Sequence, residues 1–570
     1  MIDVCLNCGT HDASVTILEH NKILAHLIEE RLTNIKHNGS PVLCLEKIKD
    51  YVNEIDNVYY HHLMVRHFDP ISHIRFLQFR GGFSNQTCEN IERGSVIFEH
   101  HKLHAVCGAI FSGFEDAVIL VLDGAGHTHS YGKENMTIYD FNKNKINILY
   151  QSICGDGSAV VNETGDKIPD YVDPFTNIGA GYCYTAITQN CGFEALDCGK
   201  TMGLAPYGEE DSRIPTLLHP NQTCGNHSFT LGQNSRFPWM GDTWAIINDW
   251  LIFEDRSKWG DKLNKVTSLT KSDVEMDMKN VFKNLAYRIQ EDYENYLIAT
   301  CKRALSISNS KNLVITGGCA LNCVANYKLL KYLPDDINLF IDPVPGDSGV
   351  SIGGVAYNKD YRNIDIGIYL GSQLQYEYDL KGNDELDFDA SSEDVAKLLT
   401  EGNIVAIAQG RSEIGPRALG NRSILFDPRV KNGKDIVNTV KKREFFRPFA
   451  GTVLLEHARD WFDMDRLEES PFMSYAIDVL PEKQDLIPSI VHFGTCRIQT
   501  VTREQNKHYY DLISDFYKQT DVPILFNTSF NLAGNTIAET IHDCLGTLRS
   551  SQIEYLYLPE INKLVYIPNK

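Results

Sequence analysis

Residues 117–126 read AVILVLDGAG. The run of branched apolar residues predicts a buried β-strand, and Asp123 with the glycines beside it predicts a tight turn directly after that strand. Residues 311–326, KNLVITGGCALNCVAN, repeat the pattern with a turn at Gly317 and Gly318 and then a helix. Since strands that end in Gly/Asp turns place polar groups at the carboxyl edge of a sheet, the two stretches predict an α/β fold with a ligand site at that edge.

The same arrangement is predicted at the N-terminus and near residue 340. Three strands are predicted from IDVCLNC (2–8), ASVTIL (13–18) and KILAHLIEE (22–30), and the first turn holds His11 and Asp12. INLFIDPVPGDSG (337–349) predicts another strand, which ends in a loop that carries Asp347. Two such groups of strands and turns indicate a nucleotide held between two lobes.

The length of the chain indicates more than one domain. At 570 residues it is too long for a single hydrophobic core, so we expect two or three domains. Residues 360–392 are charged and have few periodic apolar positions, so we place a boundary near residue 365, between domains 1–365 and 366–570. The aromatic stretch FPWMGDTWAIINDWLIF (237–253) matches no motif, and we interpret most of it as core packing.

Charge and cysteine content restrict the partners and the compartment. The formal net charge of −21 disfavours a nucleic acid partner, because phosphate binding relies on clustered Lys and Arg, although a local basic groove stays open. The start MIDVCLNC lacks the basic region of a signal peptide, and apolar runs such as AVILVL are too short to span a bilayer. Cys5 and Cys8 lack a second pair or a nearby His, which favours two buried thiols over a zinc site. We therefore expect a cytoplasmic protein without membrane attachment.

A histidine cluster lies in VIFEHHKLHAVCGA, residues 96–109. On a helix, His100 and His104 are one turn apart on the same face, and His101 points elsewhere. Two imidazoles from one helical turn, together with Asp347 from a distant loop, would form one face of a metal's coordination shell. The spacing is also compatible with three histidines that pack in a helix, so both interpretations stay open at this point.

Glycine-rich turns recur through the first domain. Glycine lets backbone N–H groups approach phosphate oxygens closely, and strand-to-helix turns supply oriented donors. One such turn can be merely a turn, whereas five in one domain favour nucleotide binding, and one of them contains Lys200. They are GTHDAS (9–14), DGAG (123–126), GKTMGLA (199–205), TGGCALN (316–322) and PGDSGVSIGG (345–354).

A basic stretch begins the second domain. Residues 411–449 hold ten Lys/Arg and four Asp/Glu in a strongly acidic protein, which usually marks a solvated surface. Here the arginines lie beside Gly and Pro and among Leu, Ile and Phe, and arginines held by rigid turns suit bidentate capture of phosphate or carboxylate oxygens. HFGTCRIQTV (492–501) and LFNTSFNLAG (525–534) add Arg497 and short hydrogen-bonding side chains next to strands. These stretches together predict an anion site.

Seven motifs in order make the chain similar to a known family. They are EHHKLHA, GKTMGLAPYG, GGCALNCVAN, GPRALGNRSI, KKREFFRPFA, RIQTV and NTSFN. The chain resembles the NodU/TobZ-type O-carbamoyltransferases, from about residue 3 to about residue 548. Many relatives carry a proline after the FRPFA pattern where this chain has Gly451, a difference that we expect to alter a loop.

The resemblance implies a fold and a two-step reaction. It implies a two-lobed, actin-like (ASKHA) N-terminal domain, as in proteins that transfer threonylcarbamoyl to tRNA, followed by a YrdC-like α/β C-terminal domain. The C-terminal domain is expected to use ATP, Mg²⁺ and carbamoyl phosphate to make carbamoyl adenylate. The N-terminal domain is expected to pass the carbamoyl group to an acceptor hydroxyl, with release of AMP.

The resemblance also implies site residues, which the motifs place in this chain. It makes His100, His104 and Asp347 ligands of a divalent metal, with iron(II) expected and manganese or zinc left open. It makes His11, Asp12 and Asp123 catalytic residues of the transfer step, with one carboxylate as the general base. It assigns adenylate binding to Lys200, Gly317, Gly318 and Asn322. The activating site is expected to consist of Arg417, Arg422, Lys441, Arg443, Arg447, Arg497, Arg503, Asn527 and Ser529, with Arg447 catalytic.

Three functions stay open at this point. The first is carbamoylation of a hydroxyl on a natural product, a sugar or a nucleotide. The second is the same chemistry on a hydroxymethylated pyrimidine in DNA, which the net charge disfavours. The third is an ASKHA-type ATP-binding module without transfer activity, which leaves the C-terminal arginines unexplained. A homodimer is a further expectation that the sequence leaves open.

Overall fold

The computed structural model divides the chain into two compact units. Unit 1 comprises Met1–Ile97, Asp347–Val355 and Asn363–Lys570, and unit 2 comprises Phe98–Gly346 and Ala356–Arg362. The structure describes residues 1–8, 11–61, 82–129, 132–143, 145–154, 169, 171–173, 179–212, 214, 216–218, 281–381 and 384–569. The aromatic stretch 237–253 and Gly9 and Thr10 of the first turn lie outside these residues. The functional division at residue 365 stays a prediction.

Unit 1 begins with a five-stranded mixed sheet in the order β3-β2-β1-β4-β5. β1 pairs antiparallel with β2 and β2 with β3, whereas β4 runs parallel to β1 and β5 parallel to β4. Alternate residues such as Val4, Leu6, Val15 and Ile17 lie in one apolar cluster, because alternate side chains of a strand share a face of the sheet. Its strands are β1 (Ile2–Asn7), β2 (Ser14–Glu19), β3 (Lys22–Ile28), β4 (Asn57–His61) and β5 (Ser95–Ile97).

Unit 2 contains a second mixed sheet in the order β10-β9-β8-β6-β11-β12, with β7 paired to β8. β6 pairs antiparallel with β8 and β8 with β9, whereas β11 runs parallel to β6 and β12 parallel to β11. Its strands are β6 (Asp116–Leu122), β7 (Thr128–His129), β8 (Gly132–Asn142), β9 (Lys145–Cys154), β10 (Val172–Asp173), β11 (Asn312–Thr316) and β12 (Asn338–Ile341).

The two sheets share one topology. In each, the first three long strands form an antiparallel meander, and two later strands add in parallel beside the first strand. The chain therefore uses one arrangement of strands twice, which is what a two-lobed actin-like protein consists of. The predicted α/β fold with an actin-like N-terminal part is confirmed.

The C-terminal part of unit 1 is built on a nine-stranded sheet in the order β13-β21-β20-β14-β15-β19-β16-β18-β17. Ala450 of β16 faces Asn527 of β19 on one side and Arg497 of β18 on the other. Directly opposed residues share a face of the sheet, so Asn527 and Arg497 lie on one face, two strands or about 10 Å apart. The strands are β13 (Leu386–Asp389), β14 (Val405–Ala408), β15 (Arg422–Phe426), β16 (Ala450–Leu454), β17 (Ala476–Asp478), β18 (Thr495–Val501), β19 (Ile524–Ser529), β20 (Tyr555–Leu558) and β21 (Lys563–Tyr566).

Helices cover or join these sheets. Those described are α1 (Glu29–Thr33), α2 (Val42–Lys47), α3 (Asn85–Glu92), α4 (His100–Ser112), α5 (Ala180–Asn190), α6 (Cys198–Leu204), α7 (Val281–Ser306), α8 (Cys323–Tyr332), α9 (Val350–Ala356), α10 (Ser392–Thr400), α11 (Gly433–Val440), α12 (Lys507–Thr520) and α13 (Ile541–Arg549). Among the residues described, no helix combines the length and the apolar character that crossing a membrane requires.

Two expectations about single residues have opposite outcomes. Cys5 and Cys8 are buried free thiols, in β1 and directly after it, as predicted. The expectation that Gly451 alters a loop is wrong, because Gly451 lies inside β16. A Cβ atom there would lie 2.7 Å from Cδ1 of Ile490, so the small residue allows close packing of that strand.

Candidate functional site

The histidine cluster lies at the start of α4 in unit 2. This helix buries Leu103, Val106 and Ile110 and ends at Gly113, which has a left-handed φ of 65°. His100 and His104 share one face, and their Nε2 atoms lie 3.1 Å apart. His101 points elsewhere, as predicted, because its Nδ1 lies 2.8 Å from Oγ1 of Thr137. The two facing imidazole nitrogens have the separation of neighbouring ligands on one metal ion, for which metal–nitrogen bonds are about 2.1 Å.

Asp123 completes this cluster from the turn after β6. Its Oδ2 lies 3.3 Å from Nε2 of His100, and its Oδ1 accepts a hydrogen bond of 3.1 Å from the backbone N–H of Gly318. Burial raises the pKa of this carboxyl, but the hydrogen bond from His100 and the charges of both histidines outweigh it and hold the pKa below its usual value. His100, His104 and Asp123 offer ligand atoms within 4.8 Å of one another. This buried nitrogen and carboxylate set fits a divalent metal.

Gly317 allows the turn after β11 to lie close to the turn after β6. Its φ is 86°, and a Cβ atom would lie 2.3 Å from the carbonyl oxygen of Leu122. Glycine is therefore required at this position, and it brings Gly318 to Asp123.

We expect Gly317→Ala to lower the free energy of unfolding in urea by about 3 kcal/mol, because the backbone is left-handed and the new methyl group has no room. Gly402→Ala is the matched control, since its φ is 85° and a Cβ atom would meet nothing within 4 Å. The control should lose only about 1–2 kcal/mol, the cost of a left-handed alanine. Equal losses would show that crowding against Leu122 is unimportant.

The remaining predicted adenylate residues also lie in unit 2. Asn322 caps α8 by accepting a hydrogen bond of 3.1 Å from the backbone N–H of Ala325, and its amide exchanges two hydrogen bonds with that of Gln290. Lys200 lies in α6, and its Nζ is 2.8 Å from Oδ2 of Asp197. Asp123 and Gly318 are therefore hydrogen-bonded to each other, whereas the described contacts of Lys200 and Asn322 are with Asp197 and Gln290.

A second constellation follows β1 in unit 1. Asp12 has a left-handed φ of 65°, and its Oδ2 lies 2.9 Å from Nδ1 of His11. Nε2 of His11 is 3.9 Å from Oδ2 of Asp347. Asn7 holds the two loops that carry Asp12 and Asp347, because its Nδ2 donates to the carbonyl oxygens of Asp12 at 3.3 Å and Asp347 at 2.8 Å. His11, Asp12 and Asp347 are therefore brought together. The role of Asp347 as a metal ligand stays a prediction.

A group of buried and half-buried cations lies at the C-terminal sheet of unit 1. Lys441, directly after α11, is 1% exposed, and its Nζ donates to Oδ1 of Asn531 at 2.9 Å and to the carbonyl oxygen of Ser529. Burial lowers the pKa of Lys441 well below its usual value, and the charges of Arg443, Arg447 and Lys36 lower it further. We call Lys441, Arg443, Arg447 and Arg497 the cationic group.

Two members of the cationic group have N–H groups without an acceptor. Nε of Arg443 and Nε of Arg497 are buried and have no hydrogen-bond partner among the described residues. Burial lowers the pKa of Arg443, and the charges of Arg447 and Arg497 lower it further while Glu444 opposes them. Buried donors and mutually repelling cations are both satisfied when an anion binds between them. This is the strongest indication of a ligand site in the C-terminal part.

Polar side chains flank the cationic group. Asn527 is buried, and its Nδ2 donates to Oγ1 of Thr452 at 2.9 Å and to the carbonyl oxygen of Ala418 at 3.2 Å. Oδ1 of Asn527 has no partner among the described residues. Ser529 donates to Asn531 at 2.8 Å, and the half-buried Arg417 directly precedes Ala418. These positions agree with a polar lining around an anion.

Two predicted ligand arginines have different surroundings. Arg422 is fully buried, and its five N–H groups donate to the carbonyl oxygens of Gln409, Gly410, Asn421 and Glu539. It therefore has no donor left for a ligand and holds the backbone instead. Arg503 is half exposed and makes two hydrogen bonds, of 2.8 and 3.3 Å, to the carboxylate of Asp511. We leave both residues out of the proposed site.

Three residues next to these sites were missed in the sequence. His37 lies 2.9 Å from Asp12, Asn531 holds Lys441, and the charge of Lys36 acts on Lys441. The adjacent Lys and His in NIKHN (34–38) were a usable signal, because both residue types serve anion binding and proton transfer. The pattern lies outside the five glycine-rich turns, so those turns do not indicate it.

The duplicated α/β sheet and the cationic group define an actin-like α/β protein that carries a cluster of cations in its C-terminal part. The sequence matches two family models, Carbamoyltransferase N-terminus over residues 75–356 and Carbamoyltransferase C-terminus over residues 396–563. It is 30% identical to "Nodulation protein NolO" of Bradyrhizobium diazoefficiens, over 80% of this chain and 77% of that protein. It is 29% identical to "Nodulation protein NolNO" of Sinorhizobium fredii, over 96% of this chain and 78% of that protein. The chain belongs to the carbamoyltransferase family, and it is a carbamoyltransferase.

Among solved structures, HypF of T. kodakarensis is similar over 64% of this chain and 49% of that chain, with 12% identity and a TM-score of 0.31. A full-length HypF in the phosphate- and nucleotide-bound form is similar over 63% of this chain and 55% of that chain, with 11% identity and a TM-score of 0.31.

Proposed function

We propose that this carbamoyltransferase first makes carbamoyl adenylate from carbamoyl phosphate and ATP in residues 366–570, and then transfers the carbamoyl group to a hydroxyl in residues 1–365. The observation that carries the proposal is the cationic group, with the buried Nε atoms of Arg443 and Arg497 that have no acceptor among the described residues. A neutral carbamoyl donor would not need a group of cations for binding. Carbamoyl phosphate and ATP are both polyanions, and their binding requires such a group.

The first step needs one water molecule to balance. Water adds to the carbonyl carbon of carbamoyl phosphate, the bond from that carbon to the phosphate oxygen breaks, and carbamate and phosphate result. A carbamate oxygen then attacks the α-phosphorus of ATP, and the bond to the β-phosphate oxygen breaks. Pyrophosphate leaves, and carbamoyl adenylate remains.

The cationic group suits both parts of this step. Arg443, Arg447 and Arg497 present guanidinium donors that bind phosphate oxygens in pairs and stabilise charge as it develops. Lys441 acts as a point charge fixed by Asn531, and Arg417, Asn527 and Ser529 complete the lining. Mg²⁺ would accompany the triphosphate, as it does in most ATP sites.

In the second step, the acceptor oxygen attacks the carbonyl carbon of the adenylate and AMP leaves. The hydroxyl proton passes to a base, for which His11 with Asp12 or the carboxylate of Asp123 are the candidates. The backbone at Gly317 and Gly318 is proposed to lie close to the adenylate, because these residues have no side chain. The N–H of Gly318 already donates to Asp123. Lys200 and Asn322 are proposed to hold the adenylate.

The metal of the transfer site is proposed to bind His100 and His104, with Asp347 as the third ligand and Asp123 beside them. The 3.1 Å between the two Nε2 atoms supports the histidine pair. When bound, a divalent ion such as iron(II) would supply a Lewis acid for the carbonyl oxygen.

The acceptor is proposed to be a hydroxyl on a small molecule, a sugar or a nucleotide. The net charge of −21 favours a small acceptor over DNA. The cytoplasmic location and the homodimer stay expectations.

The test uses carbamoyl phosphate labelled at its carbonyl carbon, with ATP and Mg²⁺. The hydroxyl probes are N-acetylglucosamine, uridine, hydroxymethylcytidine monophosphate and an oligonucleotide that contains hydroxymethylcytosine. Label on a probe with equal AMP and pyrophosphate supports the proposal, and the probe that accepts it decides between small and polymeric acceptors. ATP with a methylene group between the α- and β-phosphorus must block the reaction, whereas one between β and γ must support it. Formation of ADP without any need for carbamoyl phosphate would instead support the ATP-binding module.

A further inference from the structure

The turn of residues 34–38 in unit 1 has an unusual backbone. Asn34 and His37 both have left-handed conformations, with φ of 56° and 55°. Asn and His both adopt this conformation more often than most other non-glycine residues, and further contacts hold His37 in it. Its backbone N–H donates to Oε2 of Glu30 at 3.0 Å, and the carbonyl oxygen of Asn38 accepts from Ala13 at 2.8 Å. The turn is thus fixed against the residues that follow Asp12.

His37 contacts Asp12 directly. Its Nδ1 lies 2.9 Å from Oδ1 of Asp12, while the other oxygen of the same carboxylate lies 2.9 Å from Nδ1 of His11. Because an ionised carboxylate only accepts, both imidazoles donate their Nδ1–H to it. The two donors keep the pKa of Asp12 below its usual value, although burial raises it. In a neutral His11 this tautomer leaves Nε2 as the proton acceptor, which is the arrangement that a general base requires.

The same turn docks on the loop that holds Lys441. Oδ1 of Asn34 accepts hydrogen bonds from the backbone N–H and the hydroxyl of Thr536, at 3.2 and 3.0 Å. Three residues before Thr536, the N–H of Ala533 donates to the carbonyl oxygen of Lys441 at 2.9 Å. Lys36 lies two residues after Asn34, and its charge reaches Lys441. One short turn therefore carries a cation toward the cationic group and an imidazole to Asp12.

We propose that the turn 34–38 serves both half-reactions: Lys36 is an additional anion-binding residue of the cationic group, and His37 is a positioning residue that holds Asp12 against His11. The inference rests on the proposed function and extends it.

His37 is tested by separating the half-reactions. His37→Ala should lower AMP release with the best hydroxyl probe of the screen by about 10²-fold, the usual contribution of an oriented base, and leave pyrophosphate release without acceptor within about 2-fold. His37→Asn keeps a donor near the position of Nδ1 and should restore most of the rate. His20→Ala is the matched control, because His20 also has a left-handed φ, of 56°, and is exposed.

Lys36 is tested on the other half-reaction. Lys36→Met should raise the KM for carbamoyl phosphate or ATP in pyrophosphate release by about 10-fold, as expected for one lost charge-assisted contact. Lys47→Met is the control, since Lys47 is only partly buried and pairs weakly with Asp50 at 3.6 Å.

Three outcomes would overturn the inference. One is equal loss of both half-reactions in His37→Ala with a lowered melting temperature, which would indicate a merely structural turn. Another is failure of His37→Asn to recover any rate. The third is an unchanged KM in Lys36→Met. If the wild-type protein releases no pyrophosphate at all, the proposed function itself fails, and the inference that rests on it fails with it.

Discussion

Arg497→Met should lower the rate of pyrophosphate release by about 10²–10³-fold, as loss of one preorganised donor to developing charge does, and should not lower the melting temperature. Arg497 lies on β18, and its buried Nε has no acceptor among the described residues. Its charge also acts against Arg443. Removal of one cation from a repelling group relieves the free protein while it weakens anion binding.

Arg422→Met, in contrast to Arg497→Met, should lower the melting temperature. This side chain donates all of its N–H groups to backbone carbonyl oxygens, and its loss leaves several buried acceptors unpaired. Each of them costs about 1–3 kcal/mol, so the melting temperature should fall sharply. Arg93→Met is the neutral control, because Arg93 is exposed and its ion pair with Glu89 is long, at 3.9 Å. If Arg497→Met melts as early as Arg422→Met, then Arg497 is a structural residue and the cationic group is not a binding site.

His104→Ala should abolish metal binding and lower carbamoyl transfer by about 10³-fold or more, because a metal ligand and the carbonyl polarisation that depends on it are lost together. Pyrophosphate release without acceptor should stay within about 3-fold of wild type, since that step is assigned to the cationic group. Metal content is measured on the purified protein by mass spectrometry, and chelation of the wild-type metal should reproduce the variant's rates. His457→Ala serves as the control, because it lies in the C-terminal part and pairs with Asp460 at 3.5 Å.

Unchanged metal content in His104→Ala would contradict the assignment of the histidine pair. In that case the 3.1 Å contact between His100 and His104 is a hydrogen bond between the two imidazoles. An equal loss of both half-reactions would contradict the separation of the two sites.

The sequence predicted local structure well, because the signals are local. Apolar strands that end just before Asp123 and Gly317 could be read directly, and the helical spacing placed His100 and His104 on one face. The repeated sheet order could not be predicted from these signals, since strand order depends on pairing between residues far apart in the chain. β11, for example, pairs with β6 across about two hundred residues of sequence.

Ligand arginines and structural arginines could not be separated from the sequence. Arg422 and Arg497 both lie beside short polar residues in basic or strand-like stretches. Only the acceptors around them differ, and those acceptors are backbone carbonyl groups that no residue pattern reveals. The same holds for His37, which meets Asp12 because of a left-handed turn that the residue types do not require.

The central claim is that this chain makes carbamoyl adenylate before it transfers the carbamoyl group. The most direct measurement is product analysis by mass spectrometry after incubation with ATP, carbamoyl phosphate and Mg²⁺, without any acceptor. We expect carbamoyl adenylate and pyrophosphate in equal amounts, and we expect both products to depend on carbamoyl phosphate and to be lost in Arg497→Met. Formation of ADP without carbamoyl phosphate, and without any adenylate, would contradict the proposed first step.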